Sequence, residues 1–327
     1  MLFRSDRHNF QTFLPLLYQV STAGLAADHI AYPIRGALRD TKVAFRMGSP
    51  ILIDHKNKTL KLDSSETLDF DYLILALGST TNDFGVKGVA EHGLGMKTIT
   101  EALKIRSSIM RRFEDLCRID DGSTLSVSVV GGGPTGVEMA GAIAELKKGP
   151  LSSDQQHAAN RIHVHLIEAG PRLLPSFSPY LSLRTKKDLE NLGVAVHTDA
   201  IVNEVKTDRI ILQDKSTIES HVTIWAAGVK GESAMAKLRL PIEANRIKVG
   251  STLQVENYPY IFAIGDIAGA KEPSGRYLPM VAPVAMQQGR FVAKQIAALI
   301  ANAPLGDFAY RDKGSMATIG KIGRAHV

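Results

Sequence analysis

Apolar positions along the chain switch repeatedly between a period of two and a period of about 3.6, which predicts alternating strands and helices. The clearest case runs from Leu125 to Glu168. Leu125, Val127, Val129 and Val130 predict a short β-branched strand, a helix opens at Val137, and Ile162 to Ile167 predicts a second apolar strand. Between them, Lys147 to Asn160 (KKGPLSSDQQHAAN) reads as a surface loop. Upstream, Val43 to Leu62 gives short β-type runs broken by Gly48, Pro50, Asp54 and Asn57, a small meander. Phe70 to Ser79 reads as a buried strand ending at Gly78, and Thr98 to Arg118 as an amphipathic helix. Downstream come a helix over Tyr180 to Leu192 and strands at Val194–His197, Ile210–Leu212 and Val222–Gly228. Tyr260 to Asp266 is an apolar strand that turns at Gly265. Pro283 then pre-sets the first turn of a helix in which Ala285, Phe291, Val292, Ile296 and Leu299 keep helical spacing.

The candidate chemistry sits where strands meet glycines. Gly131, Gly133 and Gly136 follow the first strand directly, in G-x-G-x-x-G spacing, with Pro134 and Thr135 between the last two. The three glycines suit a tight turn, close backbone approach to a pyrophosphate, and close packing of helix on strand. Free N–H groups at the helix start then face the phosphates. The second strand ends on Glu168, whose carboxylate can accept both hydroxyls of an adenosine ribose. Glu168 lies further on than the roughly twenty residues usual for this motif, and Lys147 to Asn160 accounts for the excess. The strand-into-Ala-x-Gly device at Ala76 to Gly78 returns at Ala226 to Gly228, so Gly78, Ala227 and Gly228 join the cofactor candidates. The echo suggests two similar nucleotide-binding folds, one per dinucleotide.

At 327 residues, 44% apolar and 22% charged, the chain can build two ordinary globular cores. No run of eighteen apolar residues and no signal-peptide pattern is present. One cysteine, Cys117, cannot form an internal disulfide and reads as an inert thiol on a helix. His163, His165 and His197 lie in strand patterns without ligand spacing, and no metal site is expected. A net charge of +6 and a pI near 9.3 favour acidic partners, an anionic membrane surface among them. No basic stripe interleaved with aromatics points to nucleic acid.

Both ends look foreign. Leu2-Phe3-Arg4-Ser5 and Lys321-Ile322-Gly323-Arg324-Ala325 can be encoded by strings that are reverse complements of each other, as in translated sequencing adapters. Residues 1–5 and 321–327 are therefore expected to be non-native. Asp6 then reads as the end of a second nucleotide-fold strand whose own glycine loop lay upstream.

Two blocks carry a family resemblance. DRHNFQTFLPLLYQVSTAGL, followed by IAYPIRGALR, and FAYRDKGSMATIG near the end closely resemble type II NADH dehydrogenases, single-subunit, non-proton-pumping NADH:quinone oxidoreductases that bind FAD. The resemblance implies that Pro15, Leu16, Tyr18 and Gln19 run beside the flavin. It implies that Asp266, after Gly265, bonds the ribityl chain and phosphate of FAD. The helix start carrying Ala285 and Met286 would point at the flavin ring, where the positive helix end favours developing negative charge. Glu138 matches a family glutamate near the nicotinamide and quinone, and Gln287 keeps the last glutamine of an Ala-Gln-x-x-x-Gln pattern whose first pair is here Ala282-Pro283. A missing C-terminal part would carry the membrane-attaching helices.

These readings give an α/β protein of two dinucleotide-binding, Rossmann-like domains. The NADH domain, 97–251, is inserted into an FAD domain formed by 6–96 and 252–320. The expected activity is hydride transfer from NADH to FAD and electron transfer onward to a membrane quinone, on the cytoplasmic side of the membrane; a homodimer is a further expectation. A ferredoxin-type flavin reductase and a non-enzymatic NAD(H)-binding sensor are the alternatives.

Overall fold

The computed structural model describes residues 8–118 and 121–320, and the backbone of residues 2–5. Asp6 and the 321–327 end lie outside the described residues. The strands that carry the sites are Leu73–Leu75 (β1), Gly93–Gly95 (β2), Leu125–Val130 (β3), Ile162–Ile167 (β4), Val194–His197 (β5), Val222–Trp225 (β6) and Tyr258–Ala263 (β7). The helices beside them are Ile99–Arg118 (α1), Pro134–Leu146 (α2), Ser152–Asn160 (α3), Pro179–Asn191 (α4) and Ala282–Ile300 (α5). The chain divides into two units. One contains Pro33–Thr80 and Val229–Lys313 with the start of the chain; the other contains Gln11–Tyr32 and Thr81–Gly228 with the stretch from Gly314.

The second unit is built on a five-stranded parallel sheet in the order β2-β6-β3-β4-β5. β3 pairs with β4 from Leu125↔Ile162 to Val130↔Ile167, and with β6 from Val127↔Val222 to Val130↔Trp225. Every residue of β3 is buried, as expected for a central parallel strand covered on both faces. Helices cover one face, where Val127 and Val129 pack with Ile105 and Phe113 of α1 and Val137 and Ile143 of α2. On the other face, Val130, Ile167 and Trp225 meet Val205, Ile210 and Ile218 of an antiparallel sheet formed by Val202–Val205, Arg209–Leu212 and Thr217–Glu219. α1 buries Ala102, Ile105, Ile109, Phe113 and Leu116. It opens with a reciprocal cap: Glu101 N donates to Thr98 Oγ1 at 3.1 Å and Thr98 N donates to Glu101 Oε2 at 2.8 Å. Cys117 is exposed on this helix. His165 and His197 face each other, with Nδ1 and Nε2 3.2 Å apart, and burial holds the His165 imidazole down at about 4.

Two expectations need correction here. Lys147 to Asn160 is not a loop: a π-helical turn over Lys147–Leu151 leads into α3. Leu151, Ala158 and Ala159, on either side of a kink at Gln155, bury into the helical core and order the segment despite Gly149 and Pro150. The strand expected over Phe70 to Ser79 shrinks to β1, with Ile74 38% exposed. β1 alternates across its two faces: Leu75 is buried in the core with Leu73 packed against it, and Ile74 lies on the opposite, uncovered face.

In the first unit, β1 and β7 run parallel, Ile261↔Leu73 to Ala263↔Leu75. The meander is present as an antiparallel sheet of Pro50–Asp54, Thr59–Leu62 and Thr67–Asp69. Leu2–Ser5 pairs in parallel with Ala44–Met47. α5 begins with proline in its first turn and buries Val284, Gln288, Val292 and Gln295.

Candidate functional site

In the second unit the glycine loop sits where β3 gives way to α2. Gly131 has φ +114°, and a Cβ there would come within 2.8 Å of the Ala226 carbonyl. Only glycine lets the loop pass this close to the end of β6. A Cβ on Gly136 would run into the Gly131 carbonyl oxygen, so α2 packs directly on the loop. At Gly133 nothing lies within 4 Å of the Cβ position, and Pro134 and Thr135 are exposed. No side chain caps α2, which leaves its first-turn N–H groups available to an anion.

Glu168 closes the other side of this loop. Its Oε2 accepts from Gly132 N at 2.5 Å and its Oε1 from Gly170 N at 2.7 Å. The carboxylate is thereby fixed at the end of β4, next to the glycines. Arg172, four residues on, is committed elsewhere: it donates to Pro175 O at 2.7 Å, Phe177 O at 2.9 Å and Ser182 Oγ at 3.2 Å. Ala227 is half-buried and Gly228 exposed in the turn that follows β6.

Glu138 is the fifth residue of α2, half-buried, with Oε1 accepting from Thr318 N at 3.2 Å. Burial pushes its carboxyl up from 4.5 to about 7, against the opposing effect of the Thr318 bond. Between those two pH values the folded chain keeps a proton that the unfolded chain has released. The contribution to stability is therefore full in acid and is lost as pH rises through about 7. Glu138→Gln keeps an acceptor for Thr318 N and removes the titration. Above pH 7 the variant is expected to be more stable than the parent by on the order of 2 kcal/mol, and below pH 4.5 to match it. Thermal unfolding at both pH values checks this; a gap that does not change with pH would contradict it.

The first unit gathers a second cluster. β1 and β7 end side by side, and Ile264 N donates to Leu75 O at 2.9 Å. Gly78 has φ +76° with open space around its Cβ position, and Gly265 has φ +70°. Ser79 Oγ donates to Asp266 Oδ2 at 2.6 Å, and Gly265 N donates to the Gln288 amide oxygen at 2.6 Å. Ala285 Cβ lies 3.5 Å from the Gly265 Cβ position, and Met286 is 59% exposed on α5. An oriented carboxylate beside an open glycine backbone, next to an uncapped helix start, fits the ribityl and phosphate groups of FAD. Gln287 is half-buried and holds Arg311 from both ends of its amide, donating to Arg311 O at 2.9 Å and accepting from Arg311 N at 3.1 Å.

Pro15 and Leu16 lie on a 3-10 turn, and Tyr18 and Gln19 on the helix Leu17–Ser21 of the second unit. Pro15 is exposed, the other three are half-buried, and Gln19 Nε2 donates to Tyr18 Oη at 3.1 Å. Sequence reasoning missed Ser79, Gln288 and Thr318, whose partners are remote in the chain.

The chain matches the family model of pyridine nucleotide-disulphide oxidoreductases over residues 3–289. It is 34% identical to a type II NADH:quinone oxidoreductase of Mycobacterium tuberculosis, over 98% of this chain and 72% of that protein. The Haemophilus influenzae type II NADH:quinone oxidoreductase is 29% identical, over 96% of this chain and 77% of that protein. The fold of this chain superposes on NDH2 from Plasmodium falciparum in complex with NADH with a TM-score of 0.88 at 23% identity, covering 98% of this chain and 83% of that one. With the glycine loop, Glu168 and the Gly265–Asp266 turn in place, the chain belongs to the pyridine nucleotide-disulphide oxidoreductase family and, within it, to the type II NADH:quinone oxidoreductases.

Proposed function

We propose that this chain oxidises NADH, with the hydride passing to FAD and two electrons onward to a quinone. The observation that carries the reading is the Gly131–Gly136 loop closed against Glu168, in a chain 34% identical to a type II NADH:quinone oxidoreductase. NADH is assigned to the second unit and FAD to the first. FAD, when bound, supplies the redox chemistry; the protein supplies binding, orientation and electrostatics. The glycine loop and the start of α2 hold the NADH pyrophosphate. Glu168 accepts the ribose hydroxyls and repels a 2′-phosphate, and Arg172, tied to its own loop, does not offset that charge. Asp266, oriented by Ser79, accepts from the ribityl hydroxyls. Quinone reduction takes up protons with its electrons, and Glu138, raised to about 7, can hold one at neutral pH. Gln287 acts through the Arg311 segment it anchors. With Cys117 as its one cysteine the chain has no internal disulfide pair to reduce.

A peripheral position on the cytoplasmic face of a membrane is part of the proposal, supported by the net charge of +6 and its attraction to anionic lipid. No helix among the described residues is long and apolar enough to cross a membrane.

The test is steady-state turnover of the FAD-loaded chain with a soluble quinone. NADH consumption that depends on the quinone is expected, with kcat/KM for NADPH about a hundred-fold lower. Turnover with a ferredoxin alone, or nucleotide binding without turnover, would replace this reading with a ferredoxin-type reductase or a sensor.

A further inference from the structure

The loop that enters the second unit holds a phenyl ring that none of the assignments above uses. Phe84 is 64% exposed, yet its backbone sits in the left-handed region at φ +52°, unfavourable for a bulky side chain. The loop around it is tied down. Trp225 Nε1 donates to Asn82 O at 2.8 Å, Asn82 N donates to Gly228 O at 3.3 Å, and Phe84 N donates to Asn82 Oδ1 at 3.1 Å. Val86 N closes the turn onto Asp83 O at 2.9 Å. The ring lies on Gly228, where a Cβ would come within 2.9 Å of Phe84 Cζ. An exposed aromatic is thus held in a strained conformation on the turn that follows β6. Strain of this kind persists only where the surroundings over-determine it, and it concentrates at ligand clamps.

The topology says which part of a ligand reaches this ring. The order β2-β6-β3-β4-β5 puts β4, with Glu168, on one side of β3 and β6 on the other. In a doubly wound sheet the ligand crosses the carboxyl ends of the strands where the order reverses. The pyrophosphate belongs at the start of α2, beyond β3, and the adenosine ribose at Glu168, beyond β4. The remaining half of the dinucleotide then runs over the end of β6, to Ala226–Gly228 and the ring lying on them. We infer that Phe84 is a positioning residue for the nicotinamide half of NADH, offering its ring as an apolar wall for the nicotinamide. The inference rests on the assignment of NADH to this unit.

The test compares two ligands that share the adenosine and pyrophosphate groups. NADH and ADP-ribose, which lacks nicotinamide, are titrated onto the chain, onto Phe84→Ala and onto Phe84→Tyr. Phe84→Ala should weaken NADH about ten-fold and leave ADP-ribose within about two-fold, whereas Phe84→Tyr keeps both. The ring is exposed, so thermal unfolding of Phe84→Ala should match the parent and show the fold intact. Equal loss of both ligands, or no loss of either, would overturn the role given to Phe84 while leaving the NADH assignment standing. Failure of the parent chain to bind ADP-ribose at all would overturn that assignment, and the role of Phe84 with it.

Discussion

Asp266→Ala is expected to weaken FAD binding ten- to a hundred-fold and to leave NADH affinity within about two-fold, because a hydrogen bond to a charged group is worth roughly 1.5–3 kcal/mol. The carboxylate stands at the end of β7, where Gly265 turns the chain and Ser79 orients one oxygen at 2.6 Å. It also carries an electrostatic load. Burial lowers the pKa of Arg246, and the Asp266 charge acts in the opposite direction. Removing that charge takes away both the acceptor for the ribityl hydroxyls and part of the compensation for a half-buried guanidinium. Asp266→Asn separates the two effects, since it keeps the shape and loses the charge. NADH should be nearly indifferent, because its glycine loop is built on another sheet. Paired titrations of FAD and NADH decide the matter: loss of NADH alone, or equal loss of both, would remove Asp266 from the flavin site.

Gly136→Ala should have the larger effect on NADH, at least a hundred-fold, through the loop and not through a ligand contact. The added methyl would enter the Gly131 carbonyl oxygen, and neither side can give way cheaply. α2 is held by Val137, Met139, Ala140 and Ile143, all buried, and Gly131 is pinned between Ala226 and Ile167 O. Overpacking of this kind costs about 1–3 kcal/mol of stability, and it displaces the N–H groups meant for the phosphates. Gly133→Ala is the matched control, because its Cβ would point into open space. That variant should keep the parent's melting temperature. Should Gly136→Ala bind NADH like the parent, the loop is not the pyrophosphate site.

The stretch from β3 to β4 was readable because period, glycine spacing and terminal acid agree within one short segment. Where local signals disagree, the reading failed. Gly149 and Pro150 mask a helical segment, kinked at Gln155, whose buried residues are only Leu151, Ala158 and Ala159, and burial against the core supplies what propensity lacks. Ile74 reads as core because its neighbours are apolar, and nothing local says that its face of β1 is left uncovered. Ser79 to Asp266, Gly265 to Gln288 and Glu138 to Thr318 are pairings of remote residues, and a single sequence carries no sign of them. Thr98-x-x-Glu101 differs from these: the capping box is a local pattern, and it would have fixed the start of α1.

The order of strands in the parallel sheet has a consequence for synthesis. Gly131 rests on the Ala226 carbonyl, and Ala226 N in turn donates to Val130 O at 2.8 Å. A nascent chain that has just emerged to Gly136 has the glycines but not the strand they rest on. At translation rates of 5–20 residues per second, the missing floor arrives roughly 5 to 20 s later, about ninety residues downstream. During that interval β3 exposes one unpaired side, a ready template for another chain. NADH cannot shorten the exposure, since the site it would stabilise does not yet exist. A chaperone that shields β3 until β6 appears would act before any nucleotide can.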